Sequence, residues 1–237
     1  MKKYLIYIII GSFFILINCI RKRDNPLDPK AINYIGNNPT PTEWETIFSD
    51  NFNRADTTNA SLGNDWKVIL SSSNSVIKIT NNIVTMVNGA LAYYTNRSFN
   101  NILFRVIMKF KSTQRGKSDI CLMHMVDGVN GRGYAAGIST NNIMSIIRMD
   151  NQFQGPVIQS SSVELATNIT YFLEFEYNNL QLSLCLKNAY GNLIKSISKV
   201  DGTYTAGQAG FYGSTTNAGT PFAIDLDDFL VQKPTEY

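Results

Sequence analysis

Residues 170–187 read Thr-Tyr-Phe-Leu-Glu-Phe-Glu-Tyr-Asn-Asn-Leu-Gln-Leu-Ser-Leu-Cys-Leu-Lys. The stretch alternates twice. Tyr171, Leu173, Phe175 and Tyr177 share one parity, against Glu174 and Glu176 on the other. Past Asn178-Asn179 the apolar set resumes at Leu180, Leu182, Leu184 and Leu186, against Gln181, Ser183, Cys185 and Lys187. Successive side chains of a strand point to opposite faces, so a period of two predicts half-buried antiparallel strands. Asn tolerates the left-handed backbone of a two-residue turn, so Asn178-Asn179 is expected to close a tight hairpin.

The same pattern recurs outward from this hairpin. In residues 102–111, Phe104, Val106, Met108 and Phe110 oppose Arg105 and Lys109. Turn signals punctuate the chain at Asn81-Asn82, Asn88-Gly89, Asp127-Gly128, Asn141-Asn142, Asn188 to Gly191 and Asp201-Gly202. No stretch sustains a 3.6-residue apolar period, and residues 161–167 are expected to hold at most one helical turn. Many short strands without helices predict an all-β antiparallel sandwich or barrel.

Two motifs narrow this. One is Phe48-Ser49-Asp50-Asn51-Phe52-Asn53-Arg54-Ala55-Asp56, followed by Leu62-Gly63-Asn64-Asp65-Trp66. The other is Gly207-Gln208-Ala209-Gly210-Phe211-Tyr212-Gly213, followed by Phe222-Ala223-Ile224-Asp225-Leu226-Asp227-Asp228-Phe229-Leu230-Val231. Together they resemble the opening and closing strands of the concanavalin A-like (laminin-G-like) lectin/glucanase jelly rolls of secreted bacterial proteins. The resemblance covers residues 44–233 and implies an antiparallel β-sandwich (jelly roll) whose terminal strands lie together. It implies little about activity, because that fold carries lectins, hydrolases, lyases and adhesive modules alike.

The N-terminal residues 1–18 have the layout of a secretory signal: Lys2 and Lys3, then an almost wholly apolar run from Leu5 to Ile17. Leu16-Ile17-Asn18-Cys19 resembles the lipobox of bacterial lipoproteins, in which the Cys is acylated and becomes the first residue. Asn18 departs from the small residue usual there. The competing reading is a membrane-spanning helix, since the run approaches the length that crosses ~30 Å of hydrocarbon. Residues 19–43 then form a lipidated Cys and linker, broken by Pro26, Pro29, Pro39 and Pro41. Arg21-Lys22-Arg23 is suited to anionic headgroups or simply to water. Residues 234–237 are a tail. The expected location is the bacterial cell envelope, lipid-anchored at the outer membrane or cell surface and extracytoplasmic, with membrane lipid a partner through Cys19.

The chain has 237 residues, 44% apolar and 16% charged, with a formal charge of +3. Lys2 and Lys3 would leave with the signal, taking the balance close to neutral. That composition argues against a nucleic-acid partner.

Candidate site residues follow from chemistry. Sugars ask for aromatic rings to stack on, with amides and guanidinium groups for hydroxyls. Tyr93, Arg132, Asn141 and Asn151 belong to that class. The set carried forward is Tyr94, Arg97, His124, Tyr134, Arg148 and Tyr212. Tyr93 and Tyr94 must face opposite ways, so only one can be core. Glycosidases of the resembling fold carry Glu-x-Asp-x-x-Glu on one strand. Glu174-Phe175-Glu176 is the nearest match, but Asn178 and Asn179 supply no further carboxylate. The pair is expected to be a solvent-facing acidic strand, and no catalytic residue is assigned. The resemblance places Asp50 near Asp225, Asp227 and Asp228, a set of oxygen donors suited to structural calcium; strand capping by Asp227 and Asp228 is the alternative. Cys121 and Cys185 form a disulfide if their Cα atoms lie about 4.4–6.8 Å apart, and are otherwise separate thiols.

The expected function is a non-catalytic, lipid-anchored jelly roll that binds carbohydrate or an extracellular or envelope protein. The alternatives are a glycan-active hydrolase or lyase, and a structural or adhesive envelope protein without a small ligand.

Overall fold

The computed structural model describes residues 43–235, apart from 64, 71–72, 74, 88–89, 96–97, 101–103, 112–117, 140, 152–153, 167, 216–221 and 224. The side chains of residues 83, 85, 87, 100, 111, 118–121, 123–125, 214–215, 222–223 and 225–227 are likewise not described. Of the anchor and tether assigned to residues 1–43, residues 1–42, Cys19 among them, lie outside these bounds, as does Arg97.

Strands follow one another throughout. They are β1 (Trp44–Asp50), β2 (Trp66–Leu70), β3 (Val76–Thr80), β4 (Ile83–Val87), β5 (Ala90–Tyr94) and β6 (Phe99–Asn100). Then come β7 (Phe104–Lys111), β8 (Ser118–Asp127), β9 (Arg132–Ile138), β10 (Ile143–Met149), β11 (Val157–Ser162) and β12 (Thr170–Asn178). The chain finishes with β13 (Gln181–Asn188), β14 (Leu193–Val200), β15 (Ala206–Thr215), β16 (Phe222–Ala223) and β17 (Asp225–Pro234). No helix occurs among the described residues. The helical turn expected at residues 161–167 does not form in the described residues 161–166. Ser161 and Ser162 end β11, and the Val163 N–H donates to the Asn142 carbonyl at 2.8 Å.

Two antiparallel sheets form the sandwich. One runs β1-β17-β7-β12-β13-β14; the other runs β11-β10-β9-β8-β15-β5-β2, with β6 added beside β15. A small third sheet orders β16-β4-β3. The alternation read from the sequence decides which way each strand faces. Leu173, Phe175, Tyr177, Leu182, Leu184 and Leu186 point from the six-stranded sheet into a core shared with Ala92, Leu122, Tyr134, Ile146 and Phe211 of the other sheet. Full burial of each large apolar side chain contributes about 1.5–3 kcal/mol.

The β12–β13 hairpin forms, one residue later than the sequence suggests. Asn178 pairs with Gln181, and the turn residues are Asn179 (φ 44°) and Leu180 (φ 71°). Two positive φ values match the right-handed strand twist. Leucine is costly in that region, but its side chain packs on the core, and Gly202 leaves it room. A Cβ on Gly202 would stand 2.8 Å from Leu180 Cδ2.

The terminal strands pair, with Asp50 opposite Phe229 and Trp44 opposite Pro234. The chain after β1 is locked by one carboxylate. Asp50 Oδ1 accepts the Phe52 N–H (2.8 Å) and the Arg54 guanidinium, while Oδ2 accepts Trp66 Nε1 (2.8 Å). Arg54 also donates to the Leu62 carbonyl at 3.0 Å. Phe52 holds φ 54° to bury its ring against Trp66 and Phe211. The Asp-x-Phe-x-Arg pattern is thus a device that seals one end of the core.

Candidate functional site

The outer face of the eight-stranded sheet carries a trough. Register defines its row: Leu91 of β5 pairs with Tyr212 of β15, Tyr212 with Cys121 of β8, Cys121 with Gly137 of β9, Gly137 with Ser145 of β10, and Ser145 with Ser160 of β11. The next row holds Tyr93, Gly210, Met123, Ala135, Ile147 and Val157. On β9 this face presents only Gly133, Ala135 and Gly137, while the core face takes Tyr134, Ala136 and Ile138. Small residues on one strand leave a low floor between taller neighbours.

The groove above it has a volume of about 420 Å³ and is lined by Ser139, Ile143, Ser145, Ile147, Val157, Ser160 and Tyr212. Three hydroxyls, three aliphatic groups and one phenol ring make an amphipathic lining. Such a lining suits a ligand with apolar faces and hydroxyl edges. One end of the sheet face is closed. The β8–β9 turn folds over Tyr93, whose hydroxyl donates to the Gly128 carbonyl at 3.3 Å and which is 3% exposed. A Cβ on Gly128 would meet Tyr93 Cζ at 2.3 Å, so only glycine fits there. Asp127 braces the turn, accepting the Val129 and Asn130 N–H groups and the Asn130 amide; these bonds hold its carboxyl below the usual range.

Of the ligand residues expected from sequence, Tyr212 lies in the trough, and Tyr94, Tyr134 and Arg148 do not. Tyr134 is a correction. It is fully buried on the core side, where its hydroxyl donates to Asp201 Oδ1 (2.8 Å) and accepts the Tyr204 N–H (3.1 Å). Burial pushes its phenol far up. Arg148 shares that side and pairs with Asp150 (2.9 Å) and Asp201 (3.3 Å), fastening the β14–β15 connection to β10. Tyr94 faces the sandwich and stacks on Phe48 at 3.9 Å beside Trp66. Tyr93, its neighbour, is the outward one, but the turn covers it. His124 stands opposite Tyr134 in register, and its side chain lies outside those described. The serines and aliphatics of the trough escaped the sequence reading. They are ordinary residues individually, and only the register of five strands assembles them.

Cys185 is a free thiol. It alternates with the inward Leu184 and Leu186, so it points away from the opposite sheet, to which Cys121 belongs. Of the two readings left open for Cys121 and Cys185, separate residues is therefore the one that holds. Burial, with the Glu174 charge beside it, raises the Cys185 thiol, which opposes reactivity.

The acidic strand is less exposed than expected. On the outer face of the six-stranded sheet a polar ladder crosses five strands. Thr46 Oγ1 accepts from Gln232 (3.0 Å), and Gln232 Oε1 accepts from Arg105 Nε (2.8 Å). Glu174 then accepts from Arg105 (3.4 Å) and from Lys187 (2.7 Å). Trp44 covers the guanidinium, 3.9 Å from its ring centre. Glu174 is buried to 9% exposure. Glu176 faces the same way without either cation's bond, and burial first, then the Glu174 charge, raises its carboxyl. Neither carboxylate lines the trough.

A second hollow of about 460 Å³ sits where β1 meets β17, lined by Ser49, Asp50, Asn51, Asn53, Arg54, Asp228 and Leu230. The terminal strands do bring Asp50 and Asp228 together there. No group of three or more His, Cys, Asp or Glu side chains suited to a metal ion occurs among the described residues. Asp50 is already neutralised by Arg54 and saturated by three donors, and Asp228 leans to Lys109 at 3.7 Å. A calcium ion at Asp50 would have to displace a guanidinium, so the donor set does not suit it. The side chains of Asp225 and Asp227 lie outside those described.

No protein-family model and no curated protein matches the chain by sequence. Solved structures do match in shape. A carbohydrate-binding module, CBM66 from Bacillus subtilis, aligns with TM-score 0.51 at 16% identity, over 71% of this chain and 92% of that one. The exoplasmic/lumenal domain of VIP36 in its Ca2+/Man2-bound form aligns with TM-score 0.55 at 12% identity, over 77% and 88%. The basic winged bean lectin with Tn-antigen aligns with TM-score 0.52 at 11% identity, over 80% and 98%. At these identities the likeness is one of fold: the chain is an antiparallel β-sandwich of the lectin and carbohydrate-binding-module jelly-roll type.

Proposed function

We propose that this protein is a non-catalytic carbohydrate-binding lipoprotein, displayed from the bacterial envelope by acylated Cys19, with the trough as its binding site. The observation that carries the site is the lining of the trough: a phenol ring, three serine hydroxyls and three aliphatic side chains on one open sheet face. Rings of this kind stack on the C–H faces of sugars, and hydroxyls match their edges. The fold shared with lectins and carbohydrate-binding modules supports the reading.

Tyr212→Ala should weaken polysaccharide binding at least tenfold, equivalent to ~1.4 kcal/mol, while melting within a few degrees of the parent. Titration calorimetry beside a thermal melt checks both. Equal binding by the two proteins would rule out the trough. For the anchor, labelling with palmitate in a bacterial host should disappear in Cys19→Ala; label that persists would refute acylation at that residue.

A further inference from the structure

The trough is unusual in what its strands omit. β5, β8, β11 and β15 contain no lysine or arginine. β9 has only Arg132, at its first position and of core-side parity. β10 has only Arg148, which shares the parity of the core residues Met144 and Ile146 and is held by Asp150 and Asp201. No ammonium or guanidinium group of these six strands therefore sits among the residues that line the groove. Among the described lining residues, a carboxylate or sulfate entering it would lose water and meet hydroxyls, aliphatic walls and one phenol ring, a costly exchange for an ion. A neutral sugar loses far less, because it has no charge to desolvate and the serine hydroxyls can bond its own.

The row is also long. Tyr212 to Ser160 spans four strand intervals, about 19 Å at roughly 4.8 Å each. That length accommodates several sugar rings in line, across the strands, rather than one terminal residue.

Resting on the carbohydrate reading above, we propose that the trough selects a neutral glycan chain and rejects uronate and sulfated polymers. Affinity then comes from ring stacking and hydrogen bonding without counter-ion release, so salt hardly changes it.

The test uses the full chain in detergent micelles with two sets of polymers. Mixed-linkage β-glucan, mannan and xylan are the neutral set, and polygalacturonate and chondroitin sulfate are the anionic set. The expected result is binding to at least one neutral polymer, changed less than twofold between about 50 and about 500 mM salt. That binding should fall at least tenfold in Tyr212→Ala, and neither anionic polymer should bind. A preference for an anionic polymer, weakening with salt, would overturn the neutral assignment and leave the carbohydrate reading intact. Binding to neither set would overturn the carbohydrate reading and this inference with it. Neutral binding indifferent to Tyr212→Ala would move the site elsewhere and overturn the proposal.

Discussion

Glu174 and Glu176 are two residues apart on one strand face, yet their surroundings separate them. Glu174 holds Arg105 and Lys187, while Glu176 has burial against it and a like charge beside it. Its folded-state carboxyl is raised above 4.5, so the folded protein holds that proton more tightly than the unfolded chain. Its contribution is therefore most favourable below the unfolded value and is lost as pH rises through the folded one. Glu176→Gln should accordingly raise the melting temperature at neutral pH, with the gain vanishing in acid below 4.5. A gain that is the same at every pH would contradict this. Glu174→Gln should do the opposite, lowering stability by about 2 kcal/mol in urea unfolding, because it strands two cations on a half-buried face. The sequence showed the pair but not this division. The cations come from β7 and β13, and which carboxylate they reach is set by diagonal contacts across the sheet.

At the scale of elements, local signals were reliable where they were mutually reinforcing. The hairpin of residues 170–187 was legible from alternation alone, and only its turn slid by a residue, because Leu180 gains packing that offsets its backbone cost. The pairing of β1 with β17 was legible from the two end motifs. The β8–β9 turn was legible as Asp127-Gly128 but its purpose was not, since Tyr93 lies about 35 residues away in sequence. That purpose is testable. Gly128→Ala puts a methyl group inside the Tyr93 ring, so the turn must lift. The expected loss is about 1–3 kcal/mol in thermal or urea unfolding, with faster amide exchange across residues 127–131. A neutral substitution would mean that the turn does not cap the ring. Tyr134 was named for its ring; its parity on β9 turns that ring into the core, where Asp201 of a distant loop satisfies the hydroxyl.

The whole molecule presents two unlike outer faces. The eight-stranded sheet offers a trough with no lysine or arginine among its described lining residues, and the six-stranded sheet offers a braced ladder of charges. Their division was not readable in advance, because each face draws one residue in two from strands scattered along the chain. The six-stranded sheet ends in β14, whose Leu193, Ile194 and Val200 are exposed. An edge strand with apolar side chains invites pairing with another copy, and lysines on it discourage that. Lys195 and Lys199 stand on this strand. Replacing both with Val should produce concentration-dependent association in size-exclusion chromatography. A variant that stays as monodisperse as the parent would show that the lysines are not what protects the edge.

The register of Trp44 with Pro234 has a mechanical side. The chain enters and leaves the sandwich at neighbouring points on one edge of one sheet. Tension applied between those two points would load the β1–β17 ladder one hydrogen bond at a time, as a zipper opens. Load arriving from a ligand in the trough enters through the other sheet and spreads across many strands before it reaches that seam. The sandwich should thus be easier to peel from its ends than to tear across the trough face.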